Sequence, residues 1–231
     1  MSPGRATPGL LLVIGGLGLS LLGAGAWIPA KAWLAQQLIA RAWHRAQAGE
    51  ERPRPWPWAD TWPVARLLAP DHAPPLYVLA GSSGESLAFG PAHVSASAPP
   101  DSADNVAFAG HRDTHFAFLA RLEIGDPLVV ETTAGQRRYR VAQTRVVHES
   151  RIDLVERTGH SELTLITCYP FDAIVPGGPL RYVVHARHER GGEVRREGSG
   201  QPERFPHPSL NRVDRRMAAG HADRLADEAA P

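Results

Sequence analysis

The chain has 231 residues, and its 25 Lys and Arg residues nearly balance its 24 Asp and Glu residues. The length suits one domain with appendages, and the small net charge implies no strong field for nucleic acid or acidic lipid. A single cysteine, Cys168, excludes an internal disulfide and any cysteine-rich metal centre. Its thiol is therefore inert and buried, bridged to another molecule, or a reactive nucleophile.

Residues 1–9 form a short tail before an apolar segment, residues 10–28, that contains no charged side chain. At about 1.5 Å per residue, a helix of this length crosses the hydrocarbon core of a bilayer once. The segment also resembles a cleavable signal peptide, because the small residues 24–26 suit a cleavage site. We favour an uncleaved transmembrane signal anchor, because the apolar stretch is long and Trp27 suits the membrane interface.

Residues 29–55 are predicted to contain a juxtamembrane helix and a linker rich in Pro and Trp. Residues 31–49 are rich in helix formers and lack proline. Apolar side chains in this segment roughly follow helical spacing: Trp33, Leu34, Leu38, Ala42 and Trp43. We interpret the helix as a spacer; the alternatives are that it rests on the bilayer or packs on the next domain. Prolines exclude regular structure in residues 51–63, and some of the three tryptophans there are expected to pack against that domain.

From about Val64 to His188 the chain is predicted to be mainly β. Runs rich in β-branched and aromatic residues recur, separated by Gly, Pro, Asp and Ser, at residues 76–81, 105–111, 127–132, 137–148, 162–168 and 180–188. Only residues 116–122 resemble a helical turn. Many short strands of this kind favour a closed barrel or a sandwich. Residues 189–231 contain almost nothing apolar, so we predict a disordered charged tail there.

Side-chain alternation places Cys168 on the less apolar face of its predicted strand. Leu163, Leu165 and Thr167 share the other face. Arg181 falls on the mainly polar face of the next predicted strand, and the loop between them allows both residues to lie at one end of the sheet. A thiol on such a face does not fill a core cavity, which weakens its interpretation as an inert residue.

A cysteine nucleophile needs a base or a positive field to become a thiolate, and a donor to stabilise the developing oxyanion. Arg181 can supply positive charge and several N–H donors from a planar fork. The base is expected to be one of eleven histidines, of which His111 is best placed because it ends a strand-like run before a polar stretch. His115 is its nearest competitor, and His185 shares the face of Arg181.

Residues 109–111, residues 163–168 and Arg181 follow one another along the chain, and these three features resemble motifs of the sortase family. Residues 163–168, LTLITC, are similar to the sortase strand end Thr-Leu-x-Thr-Cys, which an arginine on the next strand follows, as Arg181 does here. Residues 109–111, AGH, are similar to the sortase histidine motif. The strings AGHRDTHFAFL, LTLITCYPFDAIVPGGPLRYVV and WADTWPVARL look most similar to sortases of Gram-negative, often marine, proteobacteria.

The resemblance implies a closed eight-stranded β-barrel with short helices in residues 56–188, preceded by the N-terminal transmembrane helix. It also implies a cysteine transpeptidase. Cys168 would attack a backbone carbonyl in an LPXTG-like C-terminal sorting signal of a secreted protein and form a thioester, which an amine of unknown identity would then take. His111 would act as general acid and base, while Arg181 would position the substrate and stabilise the oxyanion.

The resemblance further implies a single-pass protein of the cytoplasmic membrane whose catalytic domain faces the periplasm. The positive residues that follow the apolar segment favour the opposite orientation, but long domains translocate despite such charges. We predict no cofactor and no metal site, because Glu123, Asp126 and Glu131 are too scattered for the calcium site found in some sortases.

Two other functions are compatible with the sequence. One is a cysteine hydrolase or a peptidoglycan L,D-transpeptidase, although those transpeptidases tend to have His-Gly-Cys at the nucleophile, and Thr167-Cys168-Tyr169 does not match that pattern. The other is a catalytically inert envelope protein that binds peptides in a barrel groove. The binder would tolerate loss of Cys168 and the enzyme would not. We favour the transpeptidase, because all three polar residues of the constellation are present.

Overall fold

The computed structural model describes residues 31–189, apart from residues 83, 174 and 176. The predicted N-terminal tail (residues 1–9), the predicted anchor (residues 10–28) and residues 190–231 of the predicted C-terminal tail lie outside the described residues. Within the part that is described, no helix is both long and apolar enough to cross a membrane.

Eight β-strands in the described part of the chain form a closed barrel. They are β1 (Pro63–Ala69), β2 (Ala73–Leu79), β3 (Ala92–His93), β4 (Asn105–Ala109), β5 (Pro127–Thr132), β6 (Gly135–His148), β7 (Glu162–Cys168) and β8 (Leu180–His188). Their order around the barrel is β1-β2-β3-β4-β7-β8-β6-β5, and pairing of β5 with β1 closes it. The predicted mainly β architecture and closed eight-stranded barrel are confirmed.

Among the described helices, one longer helix precedes the strands, and three short helices lie between them. They are α1 (31–47), α2 (Gly84–Phe89) and two 3₁₀ helices, Ala117–Arg121 and Ile152–Val155. The first 3₁₀ helix falls within residues 116–122, where the sequence predicts a helical turn. Its two buried side chains, Phe118 and Leu119, belong to the hydrophobic core.

Alternation along β7 separates the core from the outer face of the barrel. Leu163 and Leu165 are fully buried in the core, as the sequence predicts. Cys168 lies on the other face and is partly exposed. Thr164 shares the face of Cys168 but is buried, and its hydroxyl donates to Oδ1 of Asn105 on the neighbouring strand at 2.8 Å. The outer face is therefore covered in the middle of β7 and open at its end.

Helix α1 packs on the barrel, which is one of the alternatives that the sequence left open. Its buried stripe consists of Ala35, Ile39, Ala42, Trp43 and Ala46. The Trp43 ring lies 6.4 Å from the ring of Tyr77 on β2, so the contact includes an aromatic pair. Trp33 and Leu34 are 65% and 51% exposed, so the packed face differs from the predicted one. Alanines form most of the stripe, and they give a weak hydrophobic signal in the sequence.

The linker tryptophans divide between packed and exposed positions. Trp56 packs edge-on against Phe89 of α2, with 4.9 Å between ring centroids, as expected for a linker residue that contacts the domain. The guanidinium of Arg52 lies 5.2 Å from the centre of the Trp62 ring. Trp58 is 79% exposed. Two of the three aromatic side chains in this segment therefore make specific contacts.

Candidate active site

Cys168 is the last residue of β7, and Arg181 of β8 lies directly opposite it. Residues opposite one another in an antiparallel pair point to the same face, with Cβ atoms roughly 4.5–5.5 Å apart. Cys168 is a free, partly exposed thiol, and the Arg181 side chain is 27% exposed. The two residues that the sequence assigns to one end of the sheet are therefore cross-strand neighbours.

His111 reaches the same edge of the barrel because β4 and β7 are parallel. The N–H of Gly110 donates to the carbonyl of Ile166 at 3.1 Å, and Oγ1 of Thr167 donates to the carbonyl of Gly110 at 2.7 Å. His111 follows Gly110 just as Cys168 follows Thr167, so the paired strands deliver both side chains to the same sheet edge. His111 itself is exposed.

Close packing explains why a glycine precedes His111. A Cβ atom added to Gly110 would lie 2.7 Å from Cγ of Phe116, a distance that side chains do not tolerate. The N–H of Phe116 donates to the carbonyl of His111 at 2.9 Å, which folds the following turn back over Gly110. Any side chain at position 110 would displace either the Phe116 ring or the backbone that carries His111.

The two competing histidines occupy different environments. His115 is half-buried; burial lowers its imidazole pKa, the electrostatic interaction with nearby His111 lowers it further, and Asp113 partly opposes both effects. His185 pairs with Thr164, four residues before Cys168, which at ~3.3 Å per residue is about 13 Å along the strand. His185 therefore lies far from the strand end that carries the thiol, whereas His115 lies near His111.

The sortase-domain family model matches residues 68–189, which is more than half of the chain. The chain belongs to the sortase family. It is 31% identical over 113 residues to Sortase D of Bacillus subtilis (strain 168), a match that covers 48% of this chain and 57% of that protein. The sortase described here therefore aligns with little more than half the length of this curated relative.

Solved sortase structures share the fold of this sortase. Sortase C-1 from Actinomyces oris superimposes with a TM-score of 0.51 at 22% identity, covering 67% of this chain and 97% of that chain. The pilus-related Sortase C of Group B Streptococcus gives a TM-score of 0.51 at 23% identity, covering 57% and 70% of the two chains. At 22–23% identity, these two structures show a shared barrel fold and nothing about activity. Assignment to the proteobacterial class stays a prediction.

The hydroxyl of Thr167 fixes the end of β7 to the segment that carries His111. Thr167 is 2% exposed, and Gly110, whose carbonyl accepts the hydrogen bond from the Thr167 hydroxyl, is also buried. We expect Thr167→Val to lower the free energy of unfolding by roughly 1–3 kcal/mol, because it leaves a buried carbonyl without this donor. Chemical denaturation measures the loss, and Thr167→Ser is the matched control. A Val variant as stable as the wild type would contradict the assignment.

Arg112 connects the His111 turn to the loop between β7 and β8. Its side chain is 9% exposed, and its Nη2 donates to the carbonyls of Ala173 and Val175 at 2.9 and 3.1 Å. That loop joins Cys168 to Arg181, so the residue next to His111 also holds the connection between the other two site residues. Arg112 was not predicted as a site residue, because nothing in the local sequence distinguishes it from the many other arginines.

The guanidinium of Arg181 has hydrogen-bond partners in two segments of the sortase. Its Nη1 donates to the carbonyls of Gly178 and Leu180 at 2.8 and 2.9 Å. Its Nη2 forms an ion pair with Oε2 of Glu149 at 2.6 Å. Glu149 was not predicted either, because it lies 32 residues before Arg181 and reaches it only through the pairing of β6 with β8.

The loop between β6 and β7 is fixed at the base of the neighbouring strand. Nδ2 of Asn105 donates to the carbonyl of Leu154 at 3.0 Å. The backbone N–H groups of Asn105, Gly159 and Thr158 donate to the Asp104 carboxylate and lower its pKa, against the opposing effect of desolvation. Because Asp104 is charged at neutral pH, these contacts hold the far end of the loop that begins at Glu149.

Two of the carboxylates that were considered as calcium ligands, those of Glu131 and Asp126, contact basic or amide side chains in this sortase. Glu131 lies 2.6 Å from Nη2 of Arg66 and accepts a hydrogen bond from Gln47 of α1. Asp126 lies 2.9 Å from Nε2 of His72. Over the described residues, no three His, Cys, Asp or Glu side chains are grouped in a way that could hold a metal ion.

Proposed function

We propose that this sortase is a membrane-anchored cysteine transpeptidase that acts on LPXTG-like C-terminal sorting signals of secreted proteins at the periplasmic face of the inner membrane. One observation supports this most strongly. Cys168 ends β7 directly opposite Arg181, at the edge to which the parallel pairing of β4 and β7 also leads His111. A nucleophile, a cation with several donors and an exposed imidazole are the groups that acyl transfer through a thioester requires.

In the first half-reaction, His111 holds the proton of the Cys168 thiol, and the Sγ thiolate attacks the carbonyl carbon of the scissile peptide bond. The resulting oxyanion is stabilised by the positive charge and N–H donors of Arg181. When the tetrahedral intermediate collapses, the C–N bond breaks and His111 protonates the departing amine. The products are a thioester on Cys168 and the released C-terminal segment of the substrate.

In the second half-reaction, an amine acceptor replaces the released segment. His111 takes a proton from the amine as its nitrogen attacks the thioester carbonyl, and Arg181 stabilises the second oxyanion. The C–S bond then breaks, which returns the thiolate of Cys168 and leaves a new amide. Water in place of the amine would give hydrolysis by the same route.

Arg181→Ala is expected to reduce kcat/KM by an amount equivalent to about 2.7–4 kcal/mol, the effect of removing one oxyanion donor in other enzymes. Steady-state cleavage of a fluorogenic sorting peptide in the presence of an amine measures the loss. Arg187→Ala, on the same strand but six residues from the site, is the matched control and should behave like the wild type. Activity of Arg181→Ala within threefold of the wild type would contradict its role.

Product analysis distinguishes this function from its alternatives. The full chain is incubated with LPXTG-like peptides and a short peptide whose free amino terminus can act as acceptor. We expect cleavage with transfer of the acyl part to that amino group in preference to water. Cleavage without any transfer would indicate a hydrolase, and binding without cleavage would indicate an inert peptide-binding protein.

A further inference from the structure

We propose that Glu149 is a positioning residue that orients the guanidinium of Arg181 for oxyanion stabilisation; this inference rests on the proposed function of Arg181. Glu149 is the first residue after β6. Its backbone N–H donates to the carbonyl of Pro179 at 2.7 Å, and its carboxylate lies 2.6 Å from Nη2 of Arg181. Both main chain and side chain of Glu149 therefore contact the segment that enters β8.

The strand register explains how Glu149 reaches this position. In the pairing of β6 with β8, Val147 lies opposite Arg181 and His148 lies opposite Leu180. Glu149 is the next residue along, where the pairing ends and the loop toward β7 begins. A longer side chain at this point can turn back toward the Arg181 guanidinium, which makes the carboxylate a fixed neighbour of the arginine.

Contacts on both terminal nitrogens restrict the plane of the guanidinium. Nη1 is held by the carbonyls of Gly178 and Leu180, while the carboxylate of Glu149 holds Nη2. A charge-assisted bond of this kind is short and about twice as strong as one between neutral groups. A free arginine side chain carries roughly 2 kcal/mol of rotamer entropy, so a partner on each nitrogen defines where the remaining N–H groups point.

Solvent exposure separates this positioning role from a contribution to stability. The Glu149 side chain is 50% exposed and the Arg181 side chain is 27% exposed. An ion pair with that much exposure contributes little to folding. A displacement of ~1 Å at a catalytic group, in contrast, can lower a rate by about 100-fold. Loss of Glu149 should therefore affect turnover far more than unfolding.

The test compares Glu149→Ala and Glu149→Gln with Asp153→Ala. The control removes the ion pair between Asp153 and Arg151, which lies in the same loop at 2.7 Å and is similarly exposed. We expect the Ala variant to lower kcat roughly 10- to 100-fold with a much smaller change in KM and an unchanged melting temperature. Glu149→Gln should recover part of the loss, because its amide oxygen still accepts from Nη2. Asp153→Ala should match the wild type.

A double-mutant cycle shows whether Glu149 acts through the arginine. In an Arg181→Ala background, Glu149→Ala should cause no further loss of kcat. The proposal is overturned if Glu149→Ala retains wild-type kcat, or if it lowers kcat by the same factor with and without Arg181.

Side-chain NMR keeps this inference separable from the proposed function. The guanidinium signal of Arg181 in ¹⁵N-arginine-labelled full-length protein is assigned by its loss in Arg181→Lys. We expect Glu149→Ala to shift or broaden that signal and Asp153→Ala to leave it unchanged. If the wild type turns over no sorting peptide, the proposed function fails, and an unchanged Arg181 signal in Glu149→Ala overturns the positioning role independently of activity.

Discussion

Cys168→Ala is expected to abolish both cleavage of a sorting peptide and its transfer to an amine. The chain has no second cysteine, so no other side chain can supply the thiolate on which the thioester forms. The fold should persist, because Cys168 is partly exposed at the end of β7 and its removal creates no core cavity. Peptide turnover and thermal unfolding, measured on the same preparation, test both parts of this expectation.

A serine at the same position provides the matched control for Cys168→Ala. Cys168→Ser keeps nearly the same volume but offers a hydroxyl, which ionises far less readily than a thiol, so we expect it to be inactive as well. Two outcomes would contradict the account: substantial turnover by either variant, or a large fall in melting temperature for the Ala variant. Substantial turnover would show that Cys168 is not the nucleophile. A large fall in melting temperature would show that its thiol stabilises the fold.

His111→Ala is expected to reduce turnover roughly 10²- to 10⁴-fold, the usual range for loss of a general acid or base. His111 is exposed at the edge reached by β4, where an imidazole can protonate a leaving amine and deprotonate an incoming one. The kinetics of cleavage and transfer give kcat and kcat/KM for the variant. Added imidazole should restore part of the rate by diffusing into the space that the substitution opens.

His115→Ala is the matched control for the loss of His111. His115 is half-buried and burial lowers its pKa, so it is largely neutral and less accessible to substrate. We expect its replacement to change kcat/KM by no more than a few-fold. A nearly inactive His115→Ala together with a mildly affected His111→Ala would transfer the acid–base role to His115.

The bounds of the strands with the clearest sequence pattern could be predicted from the sequence. The predicted ranges 127–132, 162–168 and 180–188 match the bounds of β5, β7 and β8. Dense β-branched residues and a clear alternation of faces explain this agreement. The predicted range 137–148 begins two residues late for β6, because the strand starts at Gly135 and glycine is depleted in strands. Local composition is therefore sufficient to predict the bounds of a strand when one of its faces is strongly apolar.

Other elements depend on contacts that local composition does not reveal. Strand β1 was not predicted, because three of its four core-facing residues are proline or alanine: Pro63, Ala65, Leu67 and Ala69. Strand β3 has only two residues, and it exists because β2 and β4 pair with it on either side. Helix α2, in a short run with glycine at its first position, was not predicted either.

The candidate site was predictable only in the part that depends on local sequence. Alternation placed Cys168 and Arg181 on matching faces of neighbouring strands, and that information is local. Arg112 and Glu149 contact partners 61 and 32 residues away, so their positions follow from the folded barrel rather than from any motif. The bond from Thr167 to Gly110 likewise spans 57 residues through the parallel pairing of β4 with β7.

The most direct test of the account is the intact mass of the full chain after mixing with LPXTG-like peptides. We predict a mass increase equal to the acyl part of the peptide, removed by hydroxylamine, located on Cys168 by fragmentation and absent from Cys168→Ala. Peptide binding without any covalent adduct, or an adduct on another residue, would contradict the proposed thioester mechanism.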